Sequence, residues 1–372
     1  MKLSIAESLK DIPVAQWDSL ASDTNPFIQY EFLYALETGQ CLYDYGWQPH
    51  YLLVHSDNGQ LIGACPAYIK TNSYGEFVFD WAWADAYQRA HLDYYPKLVI
   101  SVPYSPVTGP RLLAKNNNTE IKTALIQLAI KLAEKRKLSS VHWLFNEADD
   151  QLVQQGCNLL ERFDYQFHWR NNDYTNFAAF LAELTSKKRK NINQERRKVQ
   201  RLGIDIDIIH GADLSNEQWQ QMYDFYQITF MKKHGTATLS LDFFKAIKNK
   251  LLVFMAYHNA QPVAAAICIV GKNTLYGRHW GCYEDYDSLH FELCYYTGIE
   301  YCINNKLKFF EPGAQGEHKI ARGFLATRTQ SSHWIAHPEF NKIIATHLQH
   351  EARAMEQYGK ELIASSPYKK PE

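Results

Sequence analysis

The chain has no apolar run approaching the length of a membrane span, and Lys2, Glu7, Lys10 and Asp11 interrupt its first twenty residues. A spanning helix needs about 20 consecutive apolar residues and a secretory leader needs an uninterrupted apolar core, so neither is expected. Cysteine is sparse. Cys41, Cys65, Cys157, Cys268, Cys282, Cys294 and Cys302 are odd in number, scattered and never paired as Cys-x-x-Cys. They read as small buried hydrophobes in a reducing cytoplasm, with no metal site and no permanently bound cofactor. No Gly-x-Gly-x-x-Gly, Walker sequence or serine nucleophile elbow occurs, which removes the common dinucleotide, P-loop and hydrolase signatures. His290-Phe291-Glu292 lacks the Pro-Cys-x-x-Cys of a zinc deaminase, and His333-x-x-x-His337 runs into Pro338 without a third ligand. Net charge is also missing: 39 basic side chains face 40 acidic ones across 372 residues. That balance argues against a dedicated nucleic-acid binder, although a local patch would suffice for one.

Against this neutral background, residues 186–203 stand out. Lys187, Lys188, Arg189, Lys190, Arg196, Arg197, Lys198 and Arg201 set eight positive charges against one negative, Glu195. So strong a local field usually faces an anion, and phosphate is the obvious candidate. The segment reads as one helix, capped by Ser186 and closed by Gly203. Ile192, Val199 and Leu202 share a stripe, and Leu181 and Leu184 extend it if the helix starts earlier. Lys188 and Glu195 fall on that same stripe. A charge on an apolar face must be paired or reach a ligand. The competing reading is a solvated basic face with local pairing.

The length suggests two domains, expected at 1–170 and 171–372. Aromatic residues, 14% of the chain, suit pockets and interfaces that need a polar handle on a ring. In the first half, Tyr51–Val54, Leu61–Tyr68, Glu76–Phe79, Leu98–Val102, Ser140–Phe145 and Tyr165–Trp169 read as strands. Ile121–Lys135 and Glu147–Leu159 read as helices. In the second half the basic helix precedes a strand at Ile204–Ile209 and helices at Asn216–Lys232 and Leu241–Leu251. A three-stranded meander (Leu252–Tyr257, Pro262–Val270, Thr274–Tyr283), a helix at Ser288–Asn304 and a short strand at Lys308–Glu311 follow. That order is α+β with a mixed sheet.

Three constellations could carry chemistry. The loop after the last short strand, Glu311-Pro312-Gly313-Ala314-Gln315-Gly316-Glu317-His318-Lys319-Ile320-Ala321-Arg322, gathers reactive side chains at a strand end. Glu311 and His318 suit a general base, and Lys319 and Arg322 suit a phosphate or a developing oxyanion. Its plainer reading is a polar turn. Arg278 and Trp280 alternate onto one face of the last meander strand, where they could hold a substrate by ion pairing and stacking, or serve as core residues. Finally, Asp80, Trp83 and Asp85 lie in an aromatic-acidic run. Lys97, Tyr104 and Arg111 lie in the proline-rich stretches that follow, a rigid wall able to line a pocket or to cover a sheet.

These segments together resemble a bacterial family of FemAB-like proteins, described as N-acyltransferases of peptidoglycan biosynthesis or recognition. The likeness runs from about Phe27 to about His337. It rests on Phe79–Tyr87, Tyr94-Tyr95-Pro96-Lys97-Leu98, Val107–Leu112, Ser186–Ile192 and Glu311–Lys319. It implies two tandem GNAT-like acyltransferase domains and transfer of an acyl or aminoacyl group to an amine. The donor would be aminoacyl-tRNA or acyl-coenzyme A, and the acceptor a peptidoglycan precursor. The long helical arm that some Fem proteins use for tRNA is absent from the pattern, which leaves the coenzyme A donor open. On this reading Glu311, His318 and Arg322 serve the chemistry, and Lys188, Arg189, Lys190, Asn191 and Arg196 hold phosphates. The alternative is a non-catalytic protein that places the basic helix on tRNA or another polyanion.

Overall fold

The computed structural model describes residues 1–21, 23–314 and 316–369. The chain divides into two compact units, Met1–Tyr165 with Arg328–Tyr358, and Gln166–Thr327 with Gly359–Glu372. The contiguous ranges expected from the sequence do not contain this return, in which a late segment completes the first unit.

The first unit holds two sheets. Strands β1 (Lys2–Ala6), β3 (Tyr51–His55), β4 (Leu61–Cys65) and β7 (Leu113–Ala114) form one in the order β1-β3-β4-β7. In the other, β2 (Trp47–Pro49), β5 (Ala67–Lys70) and β6 (Lys97–Ile100) pair antiparallel, β6 runs parallel to β8 (Ser140–Leu144), and β8 pairs antiparallel with β15 (Leu325–Ile335). Helices α1 (Val14–Asp18), α2 (Tyr30–Thr38), α3 (Trp81–Arg89), α4 (Thr119–Arg136), α5 (Ala148–Gln155) and most of α12 (Pro338–Ala364) belong here. A parallel pair needs a crossover, and α4 supplies it between β6 and β8. Ile121, Leu125, Ala129 and Leu132 of α4 recur at helical spacing and pack on Leu52, Val54, Leu98, Ile100 and Trp143. The expected strand at Glu76–Phe79 is irregular instead. Gly75 takes a φ of +80° and Phe77 one of +61°, so the backbone turns where a strand would run straight.

That turn drives Glu76 inward to a lysine. Lys97 is fully buried, and its Nζ donates to Glu76 Oε2 (2.8 Å), Asp80 Oδ2 (2.5 Å) and Ser73 Oγ (2.8 Å). Burial would raise the Asp80 carboxyl, but the Lys97 ammonium holds it well below the usual carboxylate range. Arg111 is also fully buried and donates to the carbonyls of Leu144 (2.8 Å), Pro110 (3.2 Å) and Val107 (2.6 Å). Tyr104 donates to Cys41 O at 2.7 Å, and Trp83 is buried against His333. Asp80, Trp83, Lys97, Tyr104 and Arg111 are therefore interior groups rather than the lining of a pocket. Asp80 Oδ2, Lys97, Tyr104 and Arg111 make their hydrogen bonds within the unit. Asp85, by contrast, is exposed on α3 and ion-paired with Arg89.

The second unit begins within β9 (Leu160–Arg170) and continues through α6 (Phe177–Glu183) and the basic helix α7 (Ser186–Arg201). Strand β10 (Ile204–His210), α8 (Asn216–Lys232) and α9 (Leu241–Ala246) precede the meander β11 (Leu251–His258), β12 (Gln261–Val270) and β13 (Thr274–Cys282). Then come α10 (Leu289–Phe291), a π-turn at Glu292–Tyr296, α11 (Thr297–Asn304) and the short strand β14 (Phe309–Glu311). The fold class is α+β, as the element order implies. Ser215 caps α8 with Gln218 in a reciprocal capping box, which fixes where that helix starts. Gly281 of β13 faces the middle of α8 at very close range, because a Cβ there would lie 1.8 Å from Phe225 O.

Two stability outcomes follow. Gly281→Ala must push α8 off β13, and overpacking of this kind costs about 1–3 kcal/mol or more, seen as a lower urea midpoint. Lys97→Met strands buried carboxylate and is expected to cost about 3–5 kcal/mol. Adding Glu76→Gln and Asp80→Asn to it should recover part of that loss in the same measurement.

Candidate active site

In the second unit the chain is organised around a strand pair that stops early. β14 runs parallel to only the first residues of β13, pairing Thr274 with Phe309, Leu275 with Phe310 and Tyr276 with Glu311. Pro312 then follows, and it has no N–H to give to a ladder. It passes so close to β13 that a Cβ on Gly277 would lie 3.2 Å from Pro312 Cα, so only glycine sits there easily. One residue later the pairing of β13 with β12 slips: Cys268 faces Gly277 while Ile267 faces His279, leaving Arg278 as the extra residue of a bulge. Bulges re-aim side chains and recur beside functional sites. His279 packs on Tyr226, and Trp280 stands against His290 with ring centroids 5.3 Å apart.

Glu311 ends β14 between its neighbours. His168 of β9 has its Nε2 3.9 Å from Glu311 Oε2, and that oxygen is buried with no hydrogen-bond partner among the described residues. Burial pushes the Glu311 carboxyl up to about 8, opposed by the charge of Arg278. Burial also lowers Arg278 to about 10, and it lowers His168 to about 4 with help from the Lys319 charge. Lys319 is buried and donates to Gly313 O at 2.6 Å, and burial brings its ammonium down to about 8. His290 falls to about 4 through burial and the nearby charges of His318, Arg322 and Lys319. The imidazoles are thus neutral near pH 7. The net field of Arg278 and Lys319 is positive, which favours an anion or a developing oxyanion.

The 3-10 turn Glu317–Arg322 carries the remaining groups. His318 is exposed, shares a 2.8 Å hydrogen bond between its Nε2 and Tyr295 Oη, and is lowered by burial and by Arg322 and Lys319. Tyr295 reaches it from the π-turn, which breaks the expected continuous helix at Ser288–Asn304. π-turns of this kind occur often at functional sites. Gly316 takes a φ of +113°, and a Cβ there would strike the His318 ring at 2.4 Å. Arg322, expected among the catalytic groups, braces this turn instead. It donates to Glu195 Oε1 (2.7 Å) and His318 O (2.8 Å), and its guanidinium lies 3.4 Å from the Phe291 ring centroid.

Helix α7 divides its charges by face. Ile192 and Val199 are buried, and Glu195 between them accepts from Arg322 and Tyr296. The charge on the apolar stripe is thereby paired, as its position requires. Arg196, expected to hold phosphate, donates instead to Glu292 (3.0 Å) and Glu300 (2.8 Å), with its guanidinium 4.5 Å from the Phe177 ring centroid. Lys188 and Arg189 are half-buried, while Lys187, Lys190, Asn191, Arg197 and Arg201 are exposed. A polar depression of about 530 Å³ runs along Asn193, Arg196, Arg197, Gln200 and Glu300. The helix begins at Ser186 after an N-cap at Thr185, and Gly203 follows it with a φ of +66°.

The sequence singled out Glu311, His318, Lys319, Arg278 and Trp280, and the structure gathers all five in one unit around the end of β14. It adds His168, His290 and Tyr295. His168 and Tyr295 arrive from β9 and from the π-turn, where only their ring and hydroxyl chemistry could have drawn attention to them, whereas His290, on α10, stands in the sequence only within the rejected zinc motif. Among the described residues no helix is long and apolar enough to cross a membrane.

The fold has relatives of known structure. FemX matches with a TM-score of 0.55 and 9% identity, covering 93% of this chain and 100% of that one. L-PGS from Bacillus licheniformis matches at 0.52 and 10% identity, covering 87% and 96% respectively. The C-terminal domain (DUF2156) of an Agrobacterium fabrum protein matches at 0.53 and 8%, covering 90% and 95%. At such low identity these matches establish a shared fold. No curated protein matches the chain. The FemAB-like family model, described as peptidoglycan biosynthesis/recognition, matches residues 8–370, and the chain belongs to that family.

Proposed function

We propose that the second unit transfers an acyl or aminoacyl group from a phosphate-bearing donor to an amine of a peptidoglycan precursor. The observation that carries this reading is the buried Glu311 carboxyl, with an unpartnered oxygen, beside Arg278 where the β13–β14 pair opens. An ionised Glu311 would take a proton from the acceptor ammonium, and neutral His318 is the second group able to do so. The freed amine attacks the donor carbonyl, the new C–N bond forms, and the oxyanion develops in the positive field of Arg278 and Lys319. Collapse expels the donor's thiolate or ribose oxygen, which leaves with a proton. Such a reaction works largely by positioning and needs no covalent nucleophile. The exposed cations of α7, with Lys188 and Arg189 beside them, suit the phosphates of acyl-coenzyme A or of aminoacyl-tRNA. The family's description supports a peptidoglycan acceptor.

The test offers acyl-coenzyme A and aminoacyl-tRNA in turn with a UDP-linked peptidoglycan precursor, and detects the product by mass spectrometry. Glu311→Gln should cut transfer by about 10²–10⁴-fold with folding intact. Wild-type transfer should climb through pH 8 as Glu311 ionises, following its carboxyl at about 8. If no donor supports transfer while tRNA binding survives in Glu311→Gln and collapses between about 50 and 200 mM salt, the polyanion-binding reading replaces this one.

The same carboxyl sets a stability slope. Its folded value of about 8 lies above the ordinary 4.5, so between those pH values the folded state keeps a proton that the unfolded chain has lost. This contribution is complete below the ordinary value and disappears as pH rises through about 8. Urea midpoints should therefore fall less steeply from pH 5 to pH 8.5 for Glu311→Gln than for wild type. The upper bound on the difference is of the order of 4 kcal/mol.

A further inference from the structure

The first unit carries a second pocket that the transfer chemistry does not use. It measures about 730 Å³ and lies between α3 and the segment Leu92–Tyr95. On α3, Trp81, Asp85 and Gln88 recur at helical spacing and form one wall, while Trp83 and Tyr87 turn inward to the core. Asp93, Tyr94 and Tyr95 form the other. Its volume is within the ordinary range for small-molecule sites, about 300–1,000 Å³.

The wall is held with unusual care. Asp80 occupies the N-cap position of α3, yet its carboxylate does not cap the helix. A cap there would ordinarily add about 1 kcal/mol. Asp80 turns instead into the interior, where it accepts from Lys97 and from Tyr94 Oη (2.6 Å). Ser73 bonds both Lys97 and Tyr95 Oη, the latter at 2.8 Å. Lys97 Nζ lies 5.3 Å from the Tyr94 ring centroid and 5.7 Å from that of Tyr95. Glu76 Oε1 and Asp80 Oδ1 stay buried without hydrogen-bond partners among the described residues. Buried charge with unsatisfied oxygens is weak as a source of stability. Here it pins the two tyrosines and the start of α3, and Trp81 follows directly. Such support is what a pre-organised binding surface requires.

The lining indicates the ligand. Trp81 is 42% exposed, and Tyr74, which meets it edge-on at 5.1 Å between centroids, is 70% exposed. Large aromatics left in water mark contact surfaces. The carboxylates are Asp85, paired with Arg89, and exposed Asp93, so the lining carries no excess positive charge and a phosphate would be repelled. The exposed Trp81 indole and the half-buried Tyr95 phenol, beside a carboxylate and an amide, match a pyranose. Its C–H faces stack on the rings, and its neighbouring hydroxyls donate to Asp93 and Gln88.

We propose that α3 and Asp93–Tyr95 form a saccharide-binding site for an uncharged pyranose such as an N-acetylhexosamine. The choice of sugar rests on the peptidoglycan reading above, whereas the stacking and hydrogen-bond chemistry does not. The experiment is calorimetric titration of the full chain with N-acetylglucosamine and its β-1,4-linked tetramer, with tetramethylammonium as a cation control. Saturable tetramer binding should weaken at least about tenfold in Trp81→Ala, a loss of about 1.4 kcal/mol, and severalfold in Asp93→Asn. Trp81→Phe should retain most of it, and unchanged melting temperatures show that the variants fold. No saturation by about 10 mM tetramer would overturn the proposal. So would equal affinity in Trp81→Ala, or saturable binding of tetramethylammonium alone. Because Glu311→Gln should bind the tetramer like wild type, failure of the transferase reading and failure of this site register in different measurements.

Discussion

The site in the second unit depends on how soon β14 stops. Three residues pair with β13, and then Pro312 crosses over Gly277. Had the parallel ladder continued, it would have filled the space beside Gly277–Cys282 with another strand. Instead α8 reaches two carbonyls of that stretch through side chains, Thr229 to Trp280 O and Lys232 to Cys282 O. Glu311 becomes the last residue held in strand geometry, and the loop beyond it is free to bring His318 and Lys319 back. The proline and the facing glycine act together. One removes the donor that would extend the ladder, and the other leaves room for the chain to turn away.

The distribution of charge follows from that opening. A buried carboxyl surrounded by carboxylates would be of little use, and here its close neighbours are cations and neutral imidazoles. The helix α7 serves this arrangement from behind. Its Glu195 pairs with Arg322, and its Arg196 pairs with Glu292 and Glu300. Lys187, Lys190, Arg197 and Arg201 face water, whereas Glu195 and Arg196 tie the helix to the π-turn and to the turn that carries His318.

Much of this is legible in the sequence. Periodicity placed α4, α7, α8 and the meander within a residue or two, because each has a clean apolar stripe or alternation bounded by a cap or a turn. The glycine-rich loop after β14 declared itself by composition. What escaped were features set by tertiary contact. Residues 76–79 look extended by propensity but turn so that Glu76 meets Lys97. α3 hides its helical stripe among aromatics and acids, and the sequence pattern assigns no element there. The π-turn interrupts a sequence that would make an ordinary helix, and Tyr295 and Tyr296 find His318 and Glu195 only because of it. Arg111 and Arg322 show the limit of residue chemistry as a guide. A buried arginine satisfied by backbone carbonyls carries the same letter as one that binds substrate.

The return of the chain to its first unit has a consequence for its birth on the ribosome. Strand β8 is buried along its whole length, and β15 covers one of its edges from a position about 190 residues later, with His142 opposite His333. Throughout synthesis of the second unit that edge has no β15 to cover it, and Val141 and Trp143 lie along it. An uncovered apolar edge is a template for other chains. The nascent protein therefore passes through a long interval in which its first half is sticky and incomplete, and that interval closes only when the last tenth of the sequence begins to emerge.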